Sequence, residues 1–149
     1  MLEITKRGLE EGLLGVIISD DLKWNAHVEY VIAKAAKRLY ALRLLKRAGV
    51  MPEDMLNTYT YNIRSVLEYA AQAWQDYIPA YLSDAIESIQ RRPLRIIFPN
   101  SSYQQALDQA NLMSLADRRI FICKKLMVDI MRNESHPISF LAPQVMTRS

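Results

Sequence analysis

Residues 25–48 read NAHVEYVIAKAAKRLYALRLLKRA, and the fold turns on how their apolar members are spaced. Val28, Val31, Ile32, Ala35, Leu39 and Leu42 recur at intervals of three and four. An α-helix turns once in about 3.6 residues, so this spacing gathers all six on one stripe and predicts a long amphipathic helix. Asn25 is a candidate N-cap, and Gly49 is placed to take the left-handed conformation that closes a helix. The basic residues follow no single stripe: Lys34, Lys37 and Arg38 flank one side of the apolar face, while Arg43, Lys46 and Arg47 wrap the last turn.

Downstream the same period continues. Pro52 followed by Glu53 and Asp54 opens a second helix, with Met55, Leu56, Tyr59, Ile63, Val66, Leu67, Ala70 and Trp74 as its stripe. Pro79 interrupts, and a third helix begins near Ala80 with Leu82, Ile86 and Ile89 inward and Arg91, Arg92 and Arg95 on the opposite arc. Pro93 lacks a backbone donor and crowds the carbonyl of Ile89, so the helix is expected to end or kink there, leaving Leu94–Phe98 as a separate turn. Ser102 with Gln105 predicts a capping box for a short helix ending near Asn111. Ser114 with Asp117 opens a last helix, from Leu115 to about Asn133, with Leu115, Ile122, Leu126 and Ile130 inside and Arg118, Lys125 and Arg132 outside. The apolar patch of Ile138, Phe140 and Leu141 follows as a docked or frayed tail.

Upstream, residues 13–19 (LLGVIIS) are the one credible strand, with residues 1–6 as a possible partner. The expectation is a mainly α fold of about four to five helices with one short N-terminal strand or hairpin. No internal repeat or linker divides residues 1–149, which read as one domain.

Composition sets the outer limits. The chain has 149 residues, four Gly, six Pro, 50% hydrophobic and 23% charged residues. That profile excludes disorder and collagen-like sequence, and a domain of this length buries roughly 68–70% of its unfolded surface. A single cysteine, Cys123, excludes a disulfide framework and points to a reducing, intracellular compartment, nucleus or cytoplasm. One Cys and two His (His27, His136) exclude a four-ligand zinc site within one chain. No apolar run approaches the ~18 residues of a membrane span, and the acidic start is unlike a secretory signal. The net charge of +3 is small, but residues 34–47 carry six cations and no acid, whereas residues 53–87 carry six acids against Arg64 alone. Basic patches flanking an acidic stretch suit a polyanion; they equally suit solvated helix faces.

No P-loop, dinucleotide-binding glycine pattern or nucleophile elbow is present. Ile18-Ser19-Asp20-Asp21 places two carboxylates after a strand, as a magnesium-dependent polymerase does, yet no third carboxylate accompanies them, and Asp is also favoured in strand-to-helix turns. His27 lacks a nucleophile partner, and Cys123 lies inside an apolar face; both read as structural. Most of the eight Tyr and two Trp fall on the apolar stripes, where aromatics are core, although exposed ones could stack on bases.

One succession of motifs goes further. Leu14-Gly15-Val16 with Asp20, then Leu22, Trp24 and His27, resembles the join between the last palm strand and the thumb in reverse transcriptases of non-LTR retrotransposons, the jockey-like LINE group. Leu67-Glu68-Tyr69-Ala70, Trp74, and Ile89-Gln90-Arg91-Arg92 with Arg95-Ile96 resemble the pattern that follows in that family. Leu112 through Leu115 with Arg118-Arg119 resembles its last landmark. The likeness covers about residues 13–132 in order. Pro93 departs from it, standing where the family carries a helix-compatible residue, and no Cys-rich knuckle follows.

The resemblance implies a fragment of an RNA-directed DNA polymerase, with residues 1–21 as a strand segment, 22–99 as thumb-like helices and 100–149 as post-thumb helices and tail. It places the catalytic carboxylates upstream, so Asp20-Asp21 falls outside them and this chain is expected not to be an enzyme. Magnesium is expected only for the full polymerase, and no other cofactor or small-molecule substrate. The implied partners are an RNA/DNA primer–template duplex, held through phosphates, and the palm domain. Lys34, Lys37, Arg38, Arg43, Lys46, Arg47, Arg91, Arg92 and Arg95 are the candidate contacts. The competing reading is a helical protein-interaction or structural domain with no nucleic-acid role.

Overall fold

The quoted stretch forms helix α1, Asn25–Arg47, in a computed structural model that describes residues 11–13, 16–18, 23–133 and 135–137. Val28, Val31, Ala35, Leu39 and Leu42 are buried along it, with Ile32 at the margin. Gly49 takes φ +77° and lets the Gly49 and Val50 amides donate to the carbonyls of Lys46 (3.2 Å) and Leu45 (3.1 Å), satisfying groups the helix itself leaves open. The start departs from expectation. Trp24, not Asn25, occupies the cap position, and no side chain caps the helix. Asn25 instead donates through Nδ2 to the Tyr81 hydroxyl at 3.4 Å, so a tertiary contact has taken the polar group from local capping.

Pro52 opens α2, Pro52–Tyr59, with its acids in the first turn. The expected single helix to Trp74 is broken into α2, a π-helical turn (Thr60–Arg64), α3 (Ser65–Glu68) and α4 (Ala71–Trp74). The reason lies in the spacing of what is buried: Met55, Tyr59, Ile63, Leu67 and Ala71 follow one another by fours. In an unbroken α-helix each step of four overshoots a full turn by about 40°, and the stripe would drift away from the core. The wider π turn absorbs part of the drift, and a left-handed Ala70 (φ +54°) resets the rest. Ala71 is therefore buried where Ala70 was expected.

After a 3₁₀ turn at Gln75–Tyr77, α5 runs unbroken over Ala80–Ile97 with Pro93 inside it. Of the two expected outcomes at Pro93, an end or a kink, the end is overturned, and with it the separate turn at 94–98. A helix-interior proline costs about 3 kcal/mol or more. Beyond it Leu94 and Ile97 are both buried, and each such side chain recovers roughly 1.5–3 kcal/mol. α6 (Tyr103–Ala110) begins at the expected capping box of Ser102 and Gln105 and ends at a left-handed Asn111. α7 (Leu115–Arg132) begins at Ser114, whose Oγ accepts from the Asp117 amide at 3.1 Å. Cys123 is only half-buried on it, less enclosed than its apolar neighbours suggest.

Ahead of the helices, β1 (Glu11–Leu13) pairs antiparallel with β2 (Val16–Ile18), Leu13 opposite Val16. Where a strand was expected through 13–19, the described residues form two paired strands, 11–13 and 16–18, the short hairpin that the expectation also allowed. The expectations for residues 1–6, Asp20-Asp21 and the tail at Ile138–Leu141 lie outside the described residues.

The fold is mainly α. α1 and α5 lie against each other at its centre, and α5 reaches all three apolar clusters. Leu82, Ile86 and Ile89 meet α1, Tyr59 and Trp74; Leu94 meets Ala106, Leu107 and Ala110 of α6; Ile97 meets Leu42 and Met55. Leu56 touches all three clusters and joins them. Among the described residues no helix is long and apolar enough to cross a membrane.

Candidate nucleic-acid interface

With one side of α5 fixed in three clusters, its other side is fixed in solvent. Arg91, Arg92 and Arg95 are all exposed on the arc opposite Ile86, Ile89 and Leu94, and none forms an ion pair among the described residues. Arg91 and Arg95, one turn apart, line a cleft of about 160 Å³ between α5 and the start of α6, together with Ser101, Ser102 and Tyr103. The Arg91 guanidinium lies 5.0 Å above the Tyr103 ring, a cation–π contact that holds it over the cleft. No acid lines it.

The arc is rigid because polar side chains on the inner flank of α5 anchor the neighbouring elements. Buried Gln90 accepts from the Tyr59 hydroxyl at 2.7 Å and donates to the Tyr103 hydroxyl (3.0 Å) and the Met113 carbonyl (2.9 Å). The Glu87 carboxylate accepts from the Leu115 and Ala116 amides at 3.1 and 3.2 Å, capping α7 from another helix, and from the Tyr103 hydroxyl. Burial foremost pushes the Tyr59 and Tyr103 phenols well above their ordinary range, with the bond to Glu87 adding to Tyr103. Both remain protonated donors.

A second network locks α7. Arg119 is buried, donates to Gln75 and to Ser83 (2.7 Å), and lies 5.8 Å over the Trp74 ring. Burial lowers its affinity for a proton, opposed by Glu87. Glu68 accepts from Arg64 at 2.8 Å and from Arg118 at 3.1 Å, so Arg118 is not the free outer cation its spacing suggested. At the start of α1 buried His27 accepts the Ile17 amide at Nδ1 (3.2 Å), tying the hairpin to α1, and burial lowers its pKa.

The α1 cations fare differently. Lys34, Lys37, Arg38, Arg43, Lys46 and Arg47 are all exposed, but they surround the helix. Arg38 donates to the Asn62 carbonyl in the π turn, and Lys34 lies 5.8 Å over Tyr30 in a separate cleft against α3. No cleft unites these side chains with the α5 arc among those described.

Sequence reasoning missed Glu87, Gln90 and Arg119 as structural anchors. Their spacing carried a signal: Gln90 follows Ile86 by four and Arg119 follows Leu115 by four, both on inward stripes. It also misplaced the tyrosines. Tyr30, Tyr40, Tyr61, Tyr69, Tyr77 and Tyr81 are exposed, and only Tyr59 is fully buried. Among the described residues no group of three or more His, Cys, Asp or Glu is placed to hold a metal ion. Compared with known proteins, the chain matches no family model, no curated protein and no solved structure.

Proposed function

We propose that this chain is a non-catalytic nucleic-acid-binding module, similar to the thumb of a retrotransposon reverse transcriptase, that holds a primer–template duplex by its phosphates. The observation that supports it most is the α5 arc: three exposed arginines, without acid partners among the described residues, on a helix anchored along its opposite face. Guanidinium groups one turn apart on a rigid helix can reach successive phosphates, and such contacts read charge rather than sequence. On this reading magnesium and the catalytic carboxylates belong to the rest of the polymerase, and the site of action is intracellular, nucleus or cytoplasm.

Titration of a blunt RNA/DNA duplex at two salt concentrations tests it. Affinity should lie in the non-specific range of about 10⁻⁴ to 10⁻⁶ M and fall steeply with salt. Absence of salt-dependent binding at low ionic strength would sink the reading. Primer extension with magnesium that Asp20→Ala abolished would overturn its non-catalytic part.

A protein-interaction role has one observation in its favour. The outer face of α7 exposes Ile120, Met127 and Met131, an unusual apolar strip for solvent. Self-association lost on Met127→Lys, with no duplex binding in the wild type, would favour that second reading.

A further inference from the structure

The cleft between α1 and the α3–α4 break has chemistry the phosphate reading does not use. It measures about 350 Å³ and is lined by Tyr30, Val31, Lys34, Ser65, Val66 and Tyr69. Tyr30 and Tyr69, contributed by different elements, remain 45% and 51% exposed, although rings of this size are usually covered when a core is within reach. The backbone holds Tyr69 there. The helix breaks at this residue, its carbonyl accepts from the Trp74 indole at 3.2 Å, and Ala70 beside it adopts a left-handed conformation that a residue with a Cβ disfavours. Strain of this kind persists only where the surroundings enforce it, and it gathers at binding sites. Lys34 brings its ammonium to 5.8 Å from the Tyr30 ring, no acid lines the cleft, and Lys37 continues the exposed cations along the same side of α1.

We propose that this cleft takes an unpaired nucleobase of a single-stranded segment, stacked on Tyr30 and Tyr69, with Lys34 at the adjoining phosphate. Two exposed rings beside a cation in an acid-free cleft match a ligand that is both π-faced and polyanionic. An apolar peptide would use the rings but gain nothing from the lysines. Stacking tolerates any base, so the cleft adds affinity without sequence preference. The inference rests on the nucleic-acid part of the reading above, but it assigns a different face and a different force.

The test uses the full chain and anisotropy at low ionic strength with three labelled probes: an oligothymidylate of about ten nucleotides, an abasic strand of equal length and a blunt duplex. The oligothymidylate should bind more tightly than the abasic strand. Tyr30→Leu and Tyr69→Leu should each weaken it roughly tenfold, to the abasic level, and leave the blunt duplex unaffected. Tyr30→Phe, which keeps the ring, should keep the preference. Lys34→Gln should weaken both single strands alike and lower the salt slope by about one. Equal wild-type affinity for the oligothymidylate and the abasic strand overturns the proposal. So does undiminished oligothymidylate binding in both leucine variants, including the case where those variants instead abolish self-association and mark the cleft as an interface between copies. Duplex binding without the base preference removes the cleft proposal alone; loss of binding to every probe removes both readings.

Discussion

α1 and α5 are neighbours at the centre of the molecule, both amphipathic and both basic, yet only α5 presents its cations as a surface. On α1 the six basic residues encircle the helix, one is engaged by the Asn62 carbonyl and another lies over Tyr30. On α5 apolar and polar anchors occupy the entire inner face, so the three arginines are confined to one outward arc. Charge content alone does not gather cations on one side of a helix. Register against a fixed inner face does, and on α5 that face is fixed by Glu87 and Gln90 as much as by leucine and isoleucine.

The sharpest way to break this contrast is to remove the polar anchor. Gln90→Ala leaves the Tyr59 hydroxyl and the Met113 carbonyl without their partner in a buried setting and opens a cavity beside them. Urea unfolding should show a loss of about 2–4 kcal/mol. A loss under about 0.5 kcal/mol, the size of an ordinary surface substitution, would mean that α5 is held by apolar contact alone.

The second comparison sets the two basic surfaces against each other. Arg91→Gln with Arg95→Gln should lower the salt slope of duplex binding by up to about two, and stability should change by no more than about 0.5 kcal/mol. Arg43→Gln with Arg47→Gln should lower the slope by less than about one, because neither side chain lines a cleft among those described that could seat a phosphate. Equal effects from both pairs would extend the proposed contact to the last turn of α1.

A third measurement probes how α1 carries the hairpin. Burial holds the folded pKa of His27 below its usual value near 6.5, so the unfolded chain takes up its proton first as pH falls. The stability that neutral His27 supports is present above about 6.5 and is lost as pH drops from there toward the folded value. Unfolding free energy should therefore decline between neutral pH and pH 5 in the wild type, and the decline should flatten in His27→Gln. An identical pH profile in both would place the titration elsewhere.

The smallest effects come from two left-handed residues, Gly49 and Ala70. Gly49→Ala meets no atom within 4 Å, so its cost is purely conformational, about 1 kcal/mol. Ala70→Gly should act in the opposite direction by a similar or smaller amount, since relief of the left-handed penalty is offset by glycine's extra freedom when unfolded. Thermal melts of the two variants would check the pair; a destabilised Ala70→Gly would show that the methyl group is needed for contact rather than merely tolerated.

Much of this architecture is legible along the chain. The α1 stripe, the Gly49 stop, the Pro52 start, the Ser102–Gln105 box and the outward arc of Arg91, Arg92 and Arg95 are consequences of helical period and backbone chemistry acting over a few residues. Local interactions of that range are written in local sequence. What the sequence did not disclose depends on which faces meet. Pro93 stays inside a helix because Leu94 and Ile97 find cores beyond it. The 52–74 stretch breaks because a stripe spaced by fours must keep facing α1 and α5. Gln90 and Arg119 are buried because hydroxyls, an amide and a carbonyl from distant elements converge on them, while most of the tyrosines stay outside because the central faces are already filled. Burial is a property of pairs of surfaces, and only the assembled helices decide it.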